Sequence, residues 1–522
     1  MRTIRSRAAT VGVLSGAVSG LLAAAAALGA GQVCALAFGA ESAPVIAVGE
    51  GAIDLTPSWL KDAAVSAFGS NDKLVLLSGI GAVVVLIAVA IGLVARRRPA
   101  WGAAGLVAFG AVGVAAALAR PTATPAYAVP SLVAAVVGVA ALLMLIRLAP
   151  RAKTAGSPVP DGDRVTSPSG ADRRAFLLAA SGTVVFAGLA GGTGLVLRGG
   201  AAATRAAVRL PRPASPAQAL PAGADLRIPG LTPYVTPLRD FYRVDTALVL
   251  PRVDPRDWTL RIHGMVDRPM ELSLAELLRY PLVERWITLT CVSNQVGGPY
   301  AGNGRWLGVP LARLLRAAGV RSGADQLLST SVDGFTAGTP VATVLDGRDA
   351  LLAVGLDGQP LPVARGFPAR LIVPGLYGFV SATKWVTDLK LTRFADDRSY
   401  WARRGWALRA PIKTMSRIDV PRPLAKVPAG EVTVAGVAWA QHRGITGVQV
   451  RADDGPWRDA ELAPVPSTDT WRQWHYRWSA ASGQHTLTAR AVDGTGAVQT
   501  QQRVPPIPDG ASGWQSIVVT VA

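Results

Sequence analysis

Long apolar runs occupy the first 198 residues, and the remaining chain alternates short apolar and polar stretches. Five of these runs are long enough to cross a hydrocarbon core of about 30 Å. They lie at residues 9–40, 74–95, 101–119, 126–149 and 175–197. The pattern predicts an N-terminal membrane domain, residues 1–198, with about five transmembrane helices.

The charges between the runs predict which side of the membrane each connection faces. Arginine-rich segments lie at residues 2–7, 96–98 and 147–174, whereas the connection 41–73 is net acidic. Because positively charged connections stay on the cytoplasmic side, we expect the N-terminus inside, and residues 41–73 and the turn 120–125 outside. The fifth span then leads outward. We therefore expect a multi-pass cell-membrane protein with an extracytoplasmic C-terminal half.

The start of the fifth run has a second interpretation. It contains Arg173 and Arg174, followed by Phe176 and Leu177 at the spacing of a twin-arginine export signal. Such a signal exports proteins that have already folded around a cofactor. The alternative is a pair of ordinary cytoplasmic flanking charges. The first interpretation predicts that the downstream domain acquires its ligand before export.

After an Ala/Pro/Arg-rich linker, residues 199–224, the pattern becomes that of a soluble α+β domain, residues 225–398. Residues 258–264 alternate like a strand, and strands are also predicted at 371–375 and 384–391. Two short amphipathic helices are predicted at 272–278 and 310–318, and Gly319 is expected to end the second.

Residues 411–522 contain only strand-like runs with turn signals between them. The runs are residues 432–438, 445–451, 474–478 and 485–492. Regular short strands of this kind predict an immunoglobulin-like β-sandwich. The tryptophans of this region (Trp439, Trp457, Trp471, Trp474 and Trp478) are expected to pack in cores and interfaces rather than to bind a ligand.

Composition excludes several classes of protein. The 522 residues carry a formal net charge of +19, but the basic residues form no stripe with aromatic residues, so nucleic acid is not an expected partner. Half of the residues are hydrophobic, consistent with the membrane domain. The four histidines all lie after residue 198, so the predicted transmembrane helices offer no histidine pair for haem. We interpret these helices as a membrane anchor.

Cys291 is the most informative residue of the C-terminal half. It follows a β-rich run and precedes a polar, Gly-rich loop, and the only other cysteine is Cys34 in the first apolar run. A thiolate is a soft ligand suited to a thiophilic metal. We interpret Cys291 as a metal ligand, the alternative being a buried structural thiol.

Several motifs around Cys291 occur in the order of one known family. They are Thr290–Asn294, Gly302–Leu311, Asp333–Phe335, Leu361–Gly375 and Lys384–Trp385. With them, residues 225–522 resemble the sulfite oxidase family, including its C-terminal sandwich. The N-terminal helices are similar to those of a bacterial membrane-anchored branch. The resemblance implies a molybdenum–molybdopterin cofactor.

The resemblance also implies roles for individual residues. Cys291 would ligate molybdenum, and Trp406 and Arg305 join it as candidate catalytic residues. The candidate cofactor-binding residues are Tyr242, Arg243, Asp245, Thr246, Asn294, Asp333, Arg365, Arg370, Ala382, Thr383 and Lys384.

Several positions depart from the pattern of sulfite oxidases: Arg243 lies one position away from its motif, and Arg365 stands where the family has a histidine. An arginine five residues after the ligand cysteine is replaced by Val296, and the active-site tyrosine of the family aligns with Trp406. Fewer cations and an additional indole indicate a less anionic substrate than sulfite. Sulfite stays open because other cations could compensate, namely Arg305, Arg403, Arg404 and Lys413.

The resulting hypothesis is a membrane-anchored, outward-facing molybdenum oxidoreductase that transfers an oxygen atom to or from a small-molecule substrate. The sequence contains no haem or iron–sulfur motif, so a separate electron-transfer partner is expected. The sandwich serves for dimerisation in the family, which makes a homodimer one expectation. Two alternatives are a reductase of oxidised sulfur or nitrogen species, such as methionine sulfoxide, and a non-catalytic membrane-tethered binding module.

Overall fold

A computed structural model describes residues 2–56, 72–120, 123–149, 178, 181–182 and 205–522. The chain divides into two compact units. The first holds the N-terminal helices together with Ala247–Leu250, and the second holds Ala201–Thr246 and Pro251–Ala522. Arg173 and Arg174, and with them the predicted export signal, lie outside the described residues.

The described part of the first unit contains five α-helices of twelve or more residues. They are α1 (Arg2–Phe38), α2 (Pro44–Leu55), α3 (Asp72–Arg97), α4 (Pro99–Leu118) and α5 (Val129–Leu148). Four candidate membrane spans coincide with α1, α3, α4 and α5, by length and composition. They match the first four predicted runs. Helix α2 is shorter and lies in the connection that was predicted to face outward.

Small residues let the helices of this unit approach closely. A Cβ atom added to Gly20 of α1 would lie 2.0 Å from the carbonyl oxygen of Ala88 in α3. Close backbone approach through small residues is typical of packing between membrane helices. An ion pair of 2.7 Å joins Glu50 of α2 to Arg120, which follows α4. The connections that carry these two residues therefore lie at the same end of the helix bundle.

The α+β part of the second unit contains two mostly antiparallel sheets. Its strands are β1 (Thr259–Gly264), β2 (Met270–Ser273), β3 (Val283–Thr290), β4 (Ala301–Pro310), β5 (Gln326–Ser331), β6 (Thr336–Pro340), β7 (Leu351–Leu356), β8 (Gln359–Pro360), β9 (Arg370–Ile372) and β10 (Val386–Thr392). One sheet has the order β2-β1-β10-β5-β6, with β1 and β10 parallel. The other has the order β3-β4-β7-β8, and β9 pairs with β7.

Short helices connect these strands: α6 (Leu274–Leu277), α7 (Leu311–Ala318), α8 (Val341–Leu345) and α9 (Gly378–Ser381). Helix α7 confirms the prediction, because its leucines face the core and Gly319 ends it at a φ of 73°. Helix α6 starts later than predicted, because Leu272 and Ser273 belong to β2. Ser273 and Glu276 form a capping box that fixes this start.

Residues from Met415 onward form a β-sandwich. Its strands are β11 (Met415–Val420), β12 (Lys426–Val427), β13 (Gly430–Trp439), β14 (Ile445–Ala452), β15 (Arg458–Asp459), β16 (Glu461–Leu462), β17 (Arg472–Ala480), β18 (Gly483–Asp493) and β19 (Gln515–Val521). The two sheets have the orders β11-β13-β17-β16 and β12-β19-β18-β14-β15, and share one apolar core. The four predicted strands correspond to β13, β14, β17 and β18. Trp471 and Trp474 are fully buried, as expected of packing residues.

Part of the segment predicted as a linker packs on the α+β domain. The backbone amide of Ala214 donates to the carbonyl of Leu282 at 2.8 Å, and the amide of Glu284 donates to the carbonyl of Ser215 at 2.8 Å. These bonds attach residues near Ser215 to the start of β3, which leads to Cys291.

Candidate functional site

Cys291 lies directly after β3, where the chain leaves the sheet, and is only 8% exposed. Its amide donates to the carbonyl of Tyr300 at 2.9 Å, and its carbonyl accepts from the amide of Asn294 at 3.1 Å. Burial raises the pKa of the Cys291 thiol, and hydrogen bonds from Ser293 and the charge of Lys384 oppose this shift only in part. A thiol in this environment ionises when a metal cation binds it.

Asn294 presents an unpaired donor in the same loop. Its Oδ1 accepts from the amide of Tyr300 at 2.8 Å. Its Nδ2 is buried and has no hydrogen-bond partner among the described residues. Since a buried donor without an acceptor costs about 1–3 kcal/mol, this amide is suited to a ligand with an acceptor group.

Three basic residues converge on the loops next to β9: Arg365, Arg370 and Lys384. The amide of Leu371 in β9 donates to the carbonyl of Thr383 at 2.9 Å, which brings Arg370 beside Lys384. Gly366, at a φ of 104°, lies between them: a Cβ atom there would be 3.0 Å from the Cβ atoms of both Arg370 and Lys384. The predicted cofactor-binding motif therefore forms one basic cluster.

The two arginines of this cluster are bonded to carbonyl groups rather than to carboxylates. Arg365 donates to the carbonyls of Tyr242 and Phe241. Arg370 donates to the carbonyls of Arg365 at 3.2 Å and Ala382 at 3.1 Å. Among the described residues, neither arginine has an acidic partner. Burial lowers the pKa of Arg365, and it lowers that of Arg370 to about 10.

Lys384 forms the ion pair of the cluster. Its Nζ lies 2.9 Å from Oδ2 of Asp245 and donates to the carbonyl of Val244 at 3.0 Å. Burial lowers the pKa of Lys384 to about 8, and the charge of Asp245 limits this shift. Arg243 also contacts Asp245, at 2.9 Å. The cluster thus holds several cations around Asp245, and this excess of buried positive charge favours an anion such as a phosphate.

The remaining predicted cofactor residues lie around the same loops. Thr246, half-buried, follows Asp245. The hydroxyl of Thr383 lies 2.7 Å from that of Ser329 in β5. Asp333 is buried in the turn between β5 and β6, and the amide of Val332 donates to the carbonyl of Trp385 at 2.9 Å. The turn of Asp333 therefore lies beside the segment of Lys384.

The structure does not bring Arg305 to Cys291. Arg305 pairs in register with Trp286, five residues before Cys291. At about 3.3 Å per residue this separates the two positions by about 16 Å along the sheet. Its Nε lies 3.2 Å from Oε1 of Glu284, and its guanidinium lies 5.7 Å from the ring centre of Trp286.

Trp406 belongs to an aromatic group. Its ring centre lies 5.5 Å from that of Phe379 in α9 and 5.6 Å from that of Trp401. Trp406 is nearly buried. Phe379 follows Gly378, where an added Cβ atom would lie 3.9 Å from the carbonyl oxygen of Thr290, at the end of β3.

Two residues beside the end of β3 were not indicated by the sequence patterns. Tyr377 precedes Gly378, where an added Cβ atom would lie 3.9 Å from the carbonyl oxygen of Thr290. Burial raises the pKa of Tyr377 to about 12. Gln441, between β13 and β14, bonds to β3 next to Cys291. A polar aromatic residue in the apolar run 375–380 was a local signal for Tyr377. Gln441 offered none, because its partner lies 151 residues away.

These features agree with a molybdopterin cofactor. The buried thiol suits a soft metal, the basic cluster suits a phosphate, and the amide of Asn294 suits a hydrogen-bonding ring edge. In the described chain, His, Cys, Asp and Glu form no group of three that could hold a metal by themselves.

Comparisons with known proteins point to the same cofactor. The family model "Oxidoreductase molybdopterin binding domain" matches residues 247–401. Mitochondrial sulfite oxidase of Mus musculus is 29% identical over 321 residues, which cover 52% of this chain and 58% of that protein. The chain thus spans little more than half the length of this relative.

Two further proteins are similar to this chain. The uncharacterized oxidoreductase YuiH of Bacillus subtilis is 31% identical over 156 residues, covering 30% of this chain and 75% of that protein. A crystal structure of the sulfane dehydrogenase SoxCD from Paracoccus pantotrophus is 24% identical, with a TM-score of 0.48, covering 55% of this chain and 84% of that one. These sequence matches establish that this chain belongs to the sulfite oxidase family of molybdopterin-dependent oxidoreductases.

Proposed function

We propose that this protein is a membrane-anchored molybdenum oxidoreductase that transfers an oxygen atom to or from a small substrate. The observation that carries the proposal is the buried Cys291 thiol at the end of β3, in the same domain as the basic cluster of Arg365, Arg370 and Lys384. A structural thiol needs no such excess of buried cations.

Individual residues have distinct proposed roles. Cys291 ligates the metal, and Arg370 and Lys384 bind the phosphate of the cofactor, because both are positively charged, Arg370 is buried, and the Lys384 side chain is only 10% exposed. Asn294 donates its unpaired Nδ2 proton to the cofactor. Arg365 holds the loop of Tyr242 in place through its carbonyl contacts. When bound, the cofactor supplies the two-electron change that oxygen-atom transfer needs.

The surroundings of the site favour a substrate less anionic than sulfite. Val296 packs against the apolar core, and Trp406 packs against Phe379. Arg305 is paired with Glu284 and does not add a free cation. The same apolar and aromatic surroundings support the second candidate function, a reductase of neutral oxidised sulfur or nitrogen species.

The helices of the first unit support membrane anchoring. The ion pair between Glu50 and Arg120 supports the topology, since both residues lie in connections predicted to face outward. We further propose that the catalytic half faces outward, that Arg173 and Arg174 direct its export, and that electrons pass to or from a separate partner protein.

The β-sandwich completes the proposal. Its two sheets of four and five strands support the immunoglobulin-like assignment, and we propose that it contributes to a homodimer.

A substrate panel tests this function. Purified, molybdenum-loaded protein is assayed with sulfite, dimethyl sulfoxide and methionine sulfoxide, each with an electron-donor and an electron-acceptor dye. The proposal predicts turnover of at least one substrate, with a lower KM for a sulfoxide than for sulfite. Loaded protein without turnover under either dye would favour the alternative of a binding module that has lost its activity.

A further inference from the structure

The helix bundle of the first unit contains an apolar cavity, which residues of α1 to α5 line. The cavity has a volume of about 560 Å³, which is within the range of about 300–1,000 Å³ that is typical of small-molecule sites. Aliphatic side chains and glycines form most of its wall, and the described residues that line it carry no charge. The wall therefore suits an apolar molecule and offers no partner to a charged group.

Ser131 brings a hydroxyl group to this apolar wall. It lies in the first turn of α5 and is only 1% exposed. Within the described part of the chain, its Oγ atom has no hydrogen-bond partner. Because a buried hydroxyl without a partner is destabilising, a ligand with an oxygen acceptor would be stabilised at this position.

A second buried serine of the bundle shows how Ser131 differs. The hydroxyl of Ser19 in α1 donates to the carbonyl of Ser15, four residues earlier, at 2.8 Å. Serines inside helices commonly satisfy their hydroxyl groups in this way. Ser131 makes no such bond to the described chain, so its proton remains available at the cavity.

Two glycines of α4 allow α5 to approach closely beside the cavity. A Cβ atom added to Gly113 would lie 2.8 Å from Oγ of Ser131, and one added to Gly110 would lie 2.6 Å from the Cβ atom of Ala135. Both distances are too short for a real side chain, so this contact requires glycine. The half-buried ring of Phe109, which precedes Gly110, also lines the cavity. The wall thus combines one aromatic ring with the hydroxyl of Ser131.

These features select a neutral, largely apolar ligand that accepts a hydrogen bond. A phospholipid carries a charged phosphate, and the cation at this end of the bundle, Arg120, is already paired with Glu50 at 2.7 Å. A hydrocarbon chain by itself offers no acceptor to Ser131. A prenyl quinone has a ring carbonyl for the hydroxyl, a flat ring that can pack on Phe109, and an apolar tail for the aliphatic wall.

We propose that the helix bundle binds a neutral prenyl quinone from the bilayer, whose ring carbonyl accepts a hydrogen bond from Ser131. The helices then bind a ligand in addition to anchoring the protein. The inference concerns the first unit alone, so it does not depend on the chemistry proposed for the second unit.

The test measures the binding of decylubiquinone, a quinone with an apolar tail, to the full-length protein in detergent micelles. Isothermal titration calorimetry gives the dissociation constant after subtraction of empty micelles. Decylbenzene, which has the same tail and no carbonyl group, is the comparison ligand. Ser131→Ala removes the hydroxyl, and Val45→Phe fills the cavity from α2. The matched control is Ser19→Ala, because its hydroxyl is satisfied within α1.

Wild type should bind decylubiquinone at a single saturable site and decylbenzene more weakly. Loss of one hydrogen bond should raise the dissociation constant of decylubiquinone about three- to tenfold in Ser131→Ala. Val45→Phe should abolish binding, and Ser19→Ala should equal wild type. In the absence of ligand, Ser131→Ala should keep the melting temperature of wild type, because it removes no hydrogen bond within the described chain.

Several results would overturn the inference. They are the absence of saturable binding to folded wild type, equal affinity for decylbenzene, and unchanged affinity for decylubiquinone in Ser131→Ala. Displacement of the quinone by phosphatidylglycerol would assign the cavity to a phospholipid instead. None of these results bears on molybdenum content or turnover, so the proposed function is tested separately.

Discussion

The side-chain amide of Gln441 donates a 2.8 Å hydrogen bond to the hydroxyl of Thr290, the residue that precedes Cys291. The same amide group donates to the carbonyl of Thr288 at 2.9 Å. Gln441 is fully buried and lies between two sandwich strands. The sandwich therefore fixes the end of the strand that carries the candidate metal ligand, and the two parts of the second unit act together at the site.

Substitution Gln441→Leu should weaken both the fold and the site. It leaves the carbonyl of Thr288 and the hydroxyl of Thr290 without this donor, at a cost of about 2–4 kcal/mol in the free energy of unfolding. Because the end of β3 is then less fixed, the molybdenum content of the purified protein should fall as well. Urea unfolding and metal analysis measure the two effects.

The control for this prediction is Gln449→Leu in the same sandwich. Gln449 bonds to Asp459 and Arg490 on the exposed side of β14. Its loss should cost less than about 1 kcal/mol and leave the molybdenum content unchanged. Equal effects of the two substitutions would contradict the specific role of Gln441.

The buried arginines Arg370 and Arg417 differ in their partners. Arg370 is bonded to carbonyls, whereas the Nε of Arg417 lies 2.6 Å from Oδ1 of Asp419. In protein made without cofactor, Arg417→Met should cost about 3–5 kcal/mol, because it leaves a buried carboxylate unpaired. Arg370→Met should change the free energy of unfolding by less than about 1 kcal/mol, since it also removes an uncompensated charge.

The loss of cofactor should be larger for Arg370→Met than for Arg417→Met, which is the reverse of their order in loss of stability. Arg370→Met should lose most of its pterin, whereas Arg417→Met should retain it when folded. Thermal unfolding of cofactor-free protein and pterin fluorescence after acid extraction check this pair. An Arg370→Met protein with full pterin content would contradict its role in the cluster.

The lowered pKa of Lys384 predicts that stability and cofactor affinity depend on pH. Its pKa is lowered by burial to about 8 in the folded protein, from 10.5 in the unfolded chain. Between these values the unfolded chain binds more protons, so the cofactor-free protein should gain stability from Lys384 as the pH rises from 8 to 10.5. Affinity for the anionic cofactor should fall over the same range, because Lys384 then loses its charge.

Comparison with Lys384→Met isolates this contribution from other titrating groups. The difference between wild type and variant in unfolding free energy, measured without cofactor, should change with pH above about 8 and stay flat below it. A difference that is constant across pH 7–10 would contradict the assignment.

Export provides a further prediction. Replacing Arg173 and Arg174 by lysines keeps the flanking charge but removes the twin-arginine signal. The C-terminal half should then stay on the cytoplasmic side, where added protease does not reach it in spheroplasts. Unchanged protease accessibility would support the alternative, in which the two arginines are ordinary flanking charges.

Sequence patterns predicted much of the second unit. The alternation of apolar and polar residues predicted β13, β14, β17 and β18. The helical spacing of apolar residues before Gly319 predicted α7. Motif order led to Cys291 and the basic residues, because their neighbours along the chain are part of each motif. These predictions depend on local periodicity and on adjacent residues, both of which the sequence displays directly.

Contacts between segments that are distant along the chain could not be predicted from the sequence. Gln441 reaches Thr290 across 151 residues, and Gly510 packs on Tyr377 from a loop before the last strand. Arg305 was proposed as catalytic from its motif, but strand register sets it opposite Trp286. Register and tertiary packing decide such contacts, and local patterns do not encode them.

The most direct test of the central claim is the molybdenum and pterin content of the full-length protein purified in detergent. Wild type should contain about one molybdenum and one pterin per chain, and Cys291→Ser should lose the activity while keeping its fold. Wild-type protein without molybdenum and pterin, from cells that make the cofactor, would contradict the claim that this chain is a molybdenum oxidoreductase. Full activity of Cys291→Ser would contradict the assignment of Cys291 as the metal ligand.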